Sequence, residues 1–191
     1  FTMRWFSCLR WSAAALVLRC SPLNRALGIE WKMKLQQINK KQLNQLITGT
    51  TGKEIEFCNG SIPPNHVLNR SLQQAQKAGA EIWSLPYMML FQDNVVGFCG
   101  FKYEPKAGEV EIGYNVAPKQ QGRGLAKSAV NQLCDLAFGT GVVENVVALI
   151  SSINVASLNV VKANNFVFTG IVVDDDNEEL EKWVLNKASY A

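Results

Sequence analysis

The run NVVALISS, residues 145–152, is apolar at every position between its polar ends and offers no face to water. A strand of that kind is buried on both sides. Whatever sheet contains it therefore has to be covered by helices above and below. The sequence supplies them. KKQLNQLI sets Leu43, Leu46 and Ile47 at helical spacing, and residues 64–78 read as a second helix stopped by Gly79. Residues 122–138 carry Leu125, Ala129, Leu133, Leu136 and Ala137 on one face, and VASLNVVKAN reads as a fourth helix.

Strands fill the intervals. MKLQQIN (33–39) alternates. EIWSLPYMMLFQ and VVGFCGFKY flank a turn at Asp93–Asn94, EVEIGYNVAP follows, and FVFTGIVV with LEKWVLN makes a closing hairpin. The order β-α-α-β-β-β-α-β-α-β-β predicts one α/β domain, with a mixed, mostly antiparallel sheet and helices on both faces.

Composition narrows the partners. The formal charge is +3, but residues 1–34 hold six of the 19 basic residues against Glu30 alone. The remainder, with 13 basic and 15 acidic residues, is slightly acidic. The basicity belongs to the leader, so nucleic acid is not an expected partner of the body. No apolar run reaches the length of a membrane span. Five scattered cysteines without a CxxC pair, and His66 as the lone histidine, argue against a disulfide framework or metal site and for a reducing, cytoplasmic setting.

The leader, residues 1–32, is expected to lie outside the core fold, with residues 33–191 as the functional domain and Met33 as its natural start. A targeting role is weighed against this, because residues 11–18 are apolar and Arg-flanked. No small-residue cleavage site follows them. LRCSPLNRALG also resembles translation through an integron recombination site, the mark of a mobile cassette.

Gly122 and Gly124 stand between a strand ending near Pro118 and the helix after it. First-turn N–H groups have no intrahelical partners and sit at the positive end of the helix dipole. Bare glycines let an anion approach them. A dinucleotide fingerprint would need glycine where Lys127 stands. ITGTTGKE lacks both the first glycine and the last hydroxyl of a Walker loop. What remains is Gln121-Gly122-Arg123-Gly124-Leu125-Ala126, a Q-x-x-G-x-A run.

With EVEIGYNVAPKQQGRGLAKSAV around it, that run resembles the acetyl-coenzyme A motif of the GNAT superfamily of acyl-CoA N-acyltransferases. NVASLNVVKANNF, thirty residues on, is similar to a second motif of that family, in the form typical of the ribosomal-protein N-terminal acetyltransferases. The resemblance implies a GNAT-like domain that binds acetyl-CoA. Gln121, Gly122, Arg123, Gly124, Leu125 and Ala126, with Lys127 at the edge, would hold the pyrophosphate. Tyr114, Asn115 and Val116 would splay from the next strand at a bulge and pair with pantetheine. Asn154 and Ser157 would line the pantetheine arm. Two departures stand out. Val161 occupies the place of a tyrosine that protonates the thiolate in many relatives, and Asn165 replaces a glycine. Ser157 is then the candidate acid.

The expected reaction is direct attack of a primary amine, in a small molecule or peptide, on acetyl-CoA in a ternary complex. A lysine-like amine lies more than three units from deprotonation at neutral pH, roughly 4–5 kcal/mol. A carboxylate base offsets that. Glu109 and Glu111 share one face of their strand, opposite Val110, Ile112 and Tyr114. Glu111 is preferred because it is nearer the splay, and solvated edge groups are the plainer alternative. Cys99 and Cys134 lack a histidine partner, so an acyl-cysteine route is not expected.

The run DDDNEELE reads as the solvated turn of the last hairpin rather than a trap for cationic acceptors. His66 reads as a surface residue rather than a substrate contact. Trp83 and Tyr87 read as core, with the wall of an acceptor cleft as the alternative. The acceptor itself is left to loops 48–66 and 174–179, which carry no motif. The oligomeric state is left open, with the edge strand of the closing hairpin as the place where a homodimer could form. The rival reading is an acyl-CoA-binding or regulatory module with impaired catalysis.

Overall fold

Eight strands share one sheet in the computed structural model, which describes residues 32–52, 55–77, 79–174 and 177–190. The expectations for residues 1–31 lie outside the described residues. The strands are β1 (Lys34–Gln37), β2 (Glu56–Phe57), β3 (Tyr87–Phe91), β4 (Asn94–Phe101), β5 (Glu109–Val116), β6 (Asn145–Ser151), β7 (Val167–Val173) and β8 (Glu179–Asn186). The helices are α1 (Lys40–Thr48), α2 (Asn65–Ala75), α3 (Glu81–Ser84), α4 (Leu125–Gly139) and α5 (Val155–Lys162). The sheet runs β1-β3-β4-β5-β6-β8-β7, with β2 alongside β4. Among the described residues, only the β5–β6 and β2–β4 pairs are parallel. This is the mixed, mostly antiparallel α/β domain that the element order predicts.

Side-chain alternation explains the layering. On β3, Tyr87 and Met89 join the larger core cluster with α4 and α5, whereas Met88 joins the second cluster with Leu43, Leu46 and Leu68 of α1 and α2. β6 contributes Val146, Val147, Ala148 and Ile150, all buried. α1 begins at a capping box between Asn39 and Gln42 and ends at Gly49, whose φ of 67° closes it in the left-handed region.

Three boundaries differ from the sequence reading. Residues 81–84 form the helical turn α3 rather than strand, because Trp83 turns into the core against Phe101 and Pro86 has no N–H for a ladder. The hairpin turn sits at Gln92 and Asp93, both with positive φ, the geometry of a type I′ turn. α4 begins at Leu125, not residue 122, because Gly122 and Gly124 adopt φ of 72° and 76°, outside the helix. β2, at 2 residues, is too short to show alternation in the sequence.

β8 lies between β6 and β7, so β7 is an outer edge of the sheet. It bears no charge and exposes Val167, Phe168, Ile171 and Val173.

Candidate functional site

β5 has two neighbours and pairs with each over a different part of its length. Against β4 its register is continuous from Ile112 to Val116. Against β6 the ladder covers Glu109 to Glu111 and stops at the pair Glu111–Val147. From there the two parallel strands part, and the β6 side of residues 112–116 has no strand partner. The splay is thus present, but without the expected bulge, since no register shift interrupts β5. Gly97 makes the close approach possible on the other side: a Cβ there would fall 2.2 Å from the Asn115 carbonyl oxygen.

The gap continues into a cleft of about 540 Å³. Every residue assigned in the sequence to the coenzyme lines it, Tyr114 and Gly124 included, except Arg123. The Arg123 guanidinium instead lies over the Phe91 ring at 4.8 Å and donates to Gln120. Gln120, Ala156, Asn159, Val160 and Ala163 also line the cleft. The helical repeat of α5, which brings residues 156, 159, 160 and 163 to one side with Ser157, was the signal for most of them.

At one end lies the glycine loop. Gly124 caps α4 without any side-chain hydrogen bond, and the first bond of the helix runs from the Ser128 N–H to the Gly124 carbonyl. The N–H groups of Leu125, Ala126 and Lys127 are therefore left for an outside acceptor. A Cβ at residue 122 or 124 would meet nothing within 4 Å. The cradle is open and fits a diphosphate. A polar groove of about 640 Å³ adjoins it, sharing Gly124, Lys127 and Ala163.

At the other end, Asn154 caps α5 by accepting from the Ser157 N–H at 3.1 Å. The Tyr114 hydroxyl donates to the Ser157 carbonyl at 3.2 Å, and burial raises the pKa of its phenol. Val161 is wholly buried in the core and presents no group to the cleft. Asn165 has φ of 62° and follows α5 where a left-handed residue is needed. The Phe166 N–H bonds to the Val161 carbonyl and the Asn165 N–H to that of Lys162, a Schellman-type ending. Asparagine tolerates that conformation, so this departure keeps the backbone that glycine would provide.

Glu109 and Glu111 face the α1–α2 side, and each meets a lysine. Lys182 reaches Glu109 at 2.9 Å. Lys102 pairs with Glu111 Oε1, which is sealed from solvent and has no hydrogen bond of good geometry. They are ion-paired, half-buried groups rather than freely solvated ones. Next to Glu111, a second cleft of about 270 Å³ opens between α2 and the β4–β5 pair, and it shares Tyr114 and Asn115 with the first.

Other candidates fall elsewhere. His66 is exposed on α2 and lines neither cleft. Trp83 and Tyr87 are core residues. Burial raises the Cys99 thiol and, with the Asp135 charge, pushes Cys134 up to about 12, so neither is a thiolate near neutrality. Of the acidic run, Asp174, Asn177 and Glu178 are bonded to one another between β7 and β8, and Glu179 and Glu181 lie in β8. Among the described residues, no helix is long and apolar enough to cross a membrane. None of their His, Cys, Asp and Glu side chains gather in a group of three that could hold a metal ion.

Residues 38–167 match the acetyltransferase (GNAT) domain family. The uncharacterized N-acetyltransferase p20 of Bacillus licheniformis is 30% identical over 83 residues, 43% of this chain; the match spans about half of that protein, 47% of its length. Among solved structures, aminoglycoside acetyltransferase AAC(6')-Ib in complex with coenzyme A superposes with a TM-score of 0.62 at 18% identity, over 83% of this chain and 97% of that one. A mutant of spermidine N-acetyltransferase SpeG from Vibrio cholerae gives 0.61 at 14% identity, over 84% and 97%. At these identities the superpositions establish the fold.

Proposed function

The chain belongs to the acetyltransferase (GNAT) domain family, and from that premise we propose that it moves the acetyl group of acetyl-CoA to a primary amine bound in the same complex. The observation that carries this reading is the uncapped start of α4 under two left-handed glycines, at the mouth of a cleft that runs back to the parting of β5 and β6.

Acetyl-CoA brings an activated thioester. The free N–H groups of Leu125, Ala126 and Lys127, with Gly122 and Gly124 leaving room, would bind its pyrophosphate. Gln121 rims the loop, its amide already donating to the Val116 carbonyl at 3.0 Å. The β6 side of residues 114–116, which has no strand partner, would hold the pantetheine arm, opposite Asn154 and Ser157. An N–H near Val116 would polarise the carbonyl as its oxygen gains charge. The amine would come from the second cleft, where Gly113 and Asn115 share the face of β5 that carries Glu111.

Glu111 is the proposed base, taking the amine proton directly or through a water, with Lys102 orienting its carboxylate. A thiol with a pKa of about 8.5 leaves with little assistance. The valine at 161 is therefore a smaller loss than a missing base. Ser157 lines the cleft and is the proposed proton donor.

The test is acetyl-CoA-dependent release of free thiol across a panel of amines, beside calorimetric titration with coenzyme A. Turnover on at least one amine is expected. Tight coenzyme binding with no turnover would favour a non-catalytic binding module, a reading supported by the burial of Val161. The uncharged, apolar edge of β7 supports pairing with a second copy, which sedimentation would reveal.

A further inference from the structure

We propose that the amine acceptor carries an anionic group of its own, a carboxylate or phosphate, which the second cleft receives at Arg70. The inference rests on the acetyl-transfer reading for its amine, but its charge argument comes from the cleft alone.

The cleft is lined by Pro63, Val67, Phe98 and Tyr114 among its uncharged residues, and its charged lining consists of Arg70 and Lys102. No carboxylate among the described residues lines it. The Lys102 ammonium is matched by Glu111. Arg70, half-buried on α2, lies over the Tyr103 ring at 6.0 Å and takes part in no ion pair among the described residues. A guanidinium presents its donors as a rigid fork suited to two oxygens of one anion. Its position is fixed by a neighbour: Gln74, one turn along α2, donates to the Lys102 carbonyl and ties the helix to the end of β4.

Shape points the same way. Gly100 and Gly113 are direct partners across β4 and β5, and both line the cleft, so its floor is bare. At about 270 Å³ the cavity falls just below the roughly 300–1,000 Å³ of drug-sized pockets. An amino-acid-sized molecule fits, with its anion on Arg70 and its amine towards Tyr114 and Asn115. A polycation would bring further positive charge against a cleft that already holds an unpaired one.

The experiment uses matched acceptors: α-amino acids with their decarboxylated amines, aminoalkyl phosphates with the corresponding amino alcohols, and spermidine and kanamycin as polycations. Thiol release gives kcat/KM for each, and calorimetry on coenzyme A-saturated protein gives binding without turnover. The anionic member of a pair should win by about tenfold or more, as loss of a charge-assisted bond implies. Whether carboxylate or phosphate wins identifies the anion.

Arg70→Gln should erase that margin while leaving the Kd for coenzyme A within about twofold, and Arg70→Lys should recover part of it. A preference for the polycations, or a margin that survives Arg70→Gln in folded protein, overturns the proposal. If no amine is acetylated, the transfer reading fails, and the binding data still decide this one. Arg70-dependent binding of the anionic amines upholds it, and absence of such binding sinks it.

Discussion

The Tyr114 hydroxyl and the Ser157 carbonyl lie 3.2 Å apart, joining β5 to α5 across the gap that opens where β5 leaves β6. A strand whose second neighbour has departed is thereby held at a set distance from the helix opposite. One such bond contributes about 1 kcal/mol. Tyr114→Phe should therefore weaken coenzyme A binding roughly fivefold by calorimetry, with an unchanged far-UV spectrum. An unaltered Kd would mean that the bond does not set the width of the cleft.

Gly124 separates backbone strain from electrostatics. At φ of 76° any side chain costs about 1–2 kcal/mol, yet a Cβ there points into open space. Gly124→Ala should lower the melting temperature by a few degrees and keep coenzyme binding. Gly124→Glu should melt in the same range but lose binding by about 100-fold or more relative to Ala, because its carboxylate would face the pyrophosphate. Equal affinity in the two variants would move the phosphate site elsewhere.

Glu111 lines neither cleft directly but stands one pleat from Gly113, on the face that the second cleft uses. Glu111→Gln should lower kcat by about 100-fold or more if it takes the amine proton, and should spare coenzyme affinity. The residual rate should climb with pH as the acceptor sheds its proton unaided. A kcat within threefold of the parent, measured at saturating acceptor, would remove Glu111 from the reaction.

The sheet was readable because burial leaves a signature in each strand. The apolar run at residues 146–150 requires cover on both faces, and the alternation of Tyr87, Met88 and Met89 divides two cores. The glycine loop was readable because it joins adjacent residues at a strand-to-helix junction. What escaped depends on contacts between distant segments. Arg123 folds back on Phe91, a strand away, rather than onto the loop that its sequence neighbours form. Lys102 meets Glu111 across a strand pair, and Arg70 borders a cleft only once α2 is laid against β4. Asn165 looked like a loss until its left-handed φ revealed a glycine's role filled by the residue type that best tolerates it.

Stability should fall at alkaline pH for reasons already built into the core. Burial raises Tyr87 from 10.0 to about 12, helped by nearby Cys99, and raises Cys134 from 9.0 to about 12, helped by Asp135. Both groups keep their protons in the folded chain when the unfolded chain has lost them. Above about pH 9 the unfolded state then binds fewer protons, so unfolding becomes easier as pH rises. The contribution is complete below pH 9, declines through the interval, and is gone above about pH 12. Melting temperatures recorded from pH 7 to 11.5 should be level at first and then drop steeply. Cys134→Ala should flatten the early part of that drop, whatever its own cost in stability. A parental curve with no fall above pH 9, or a variant with the parent's slope, would show that these buried groups are not what the folded state protects.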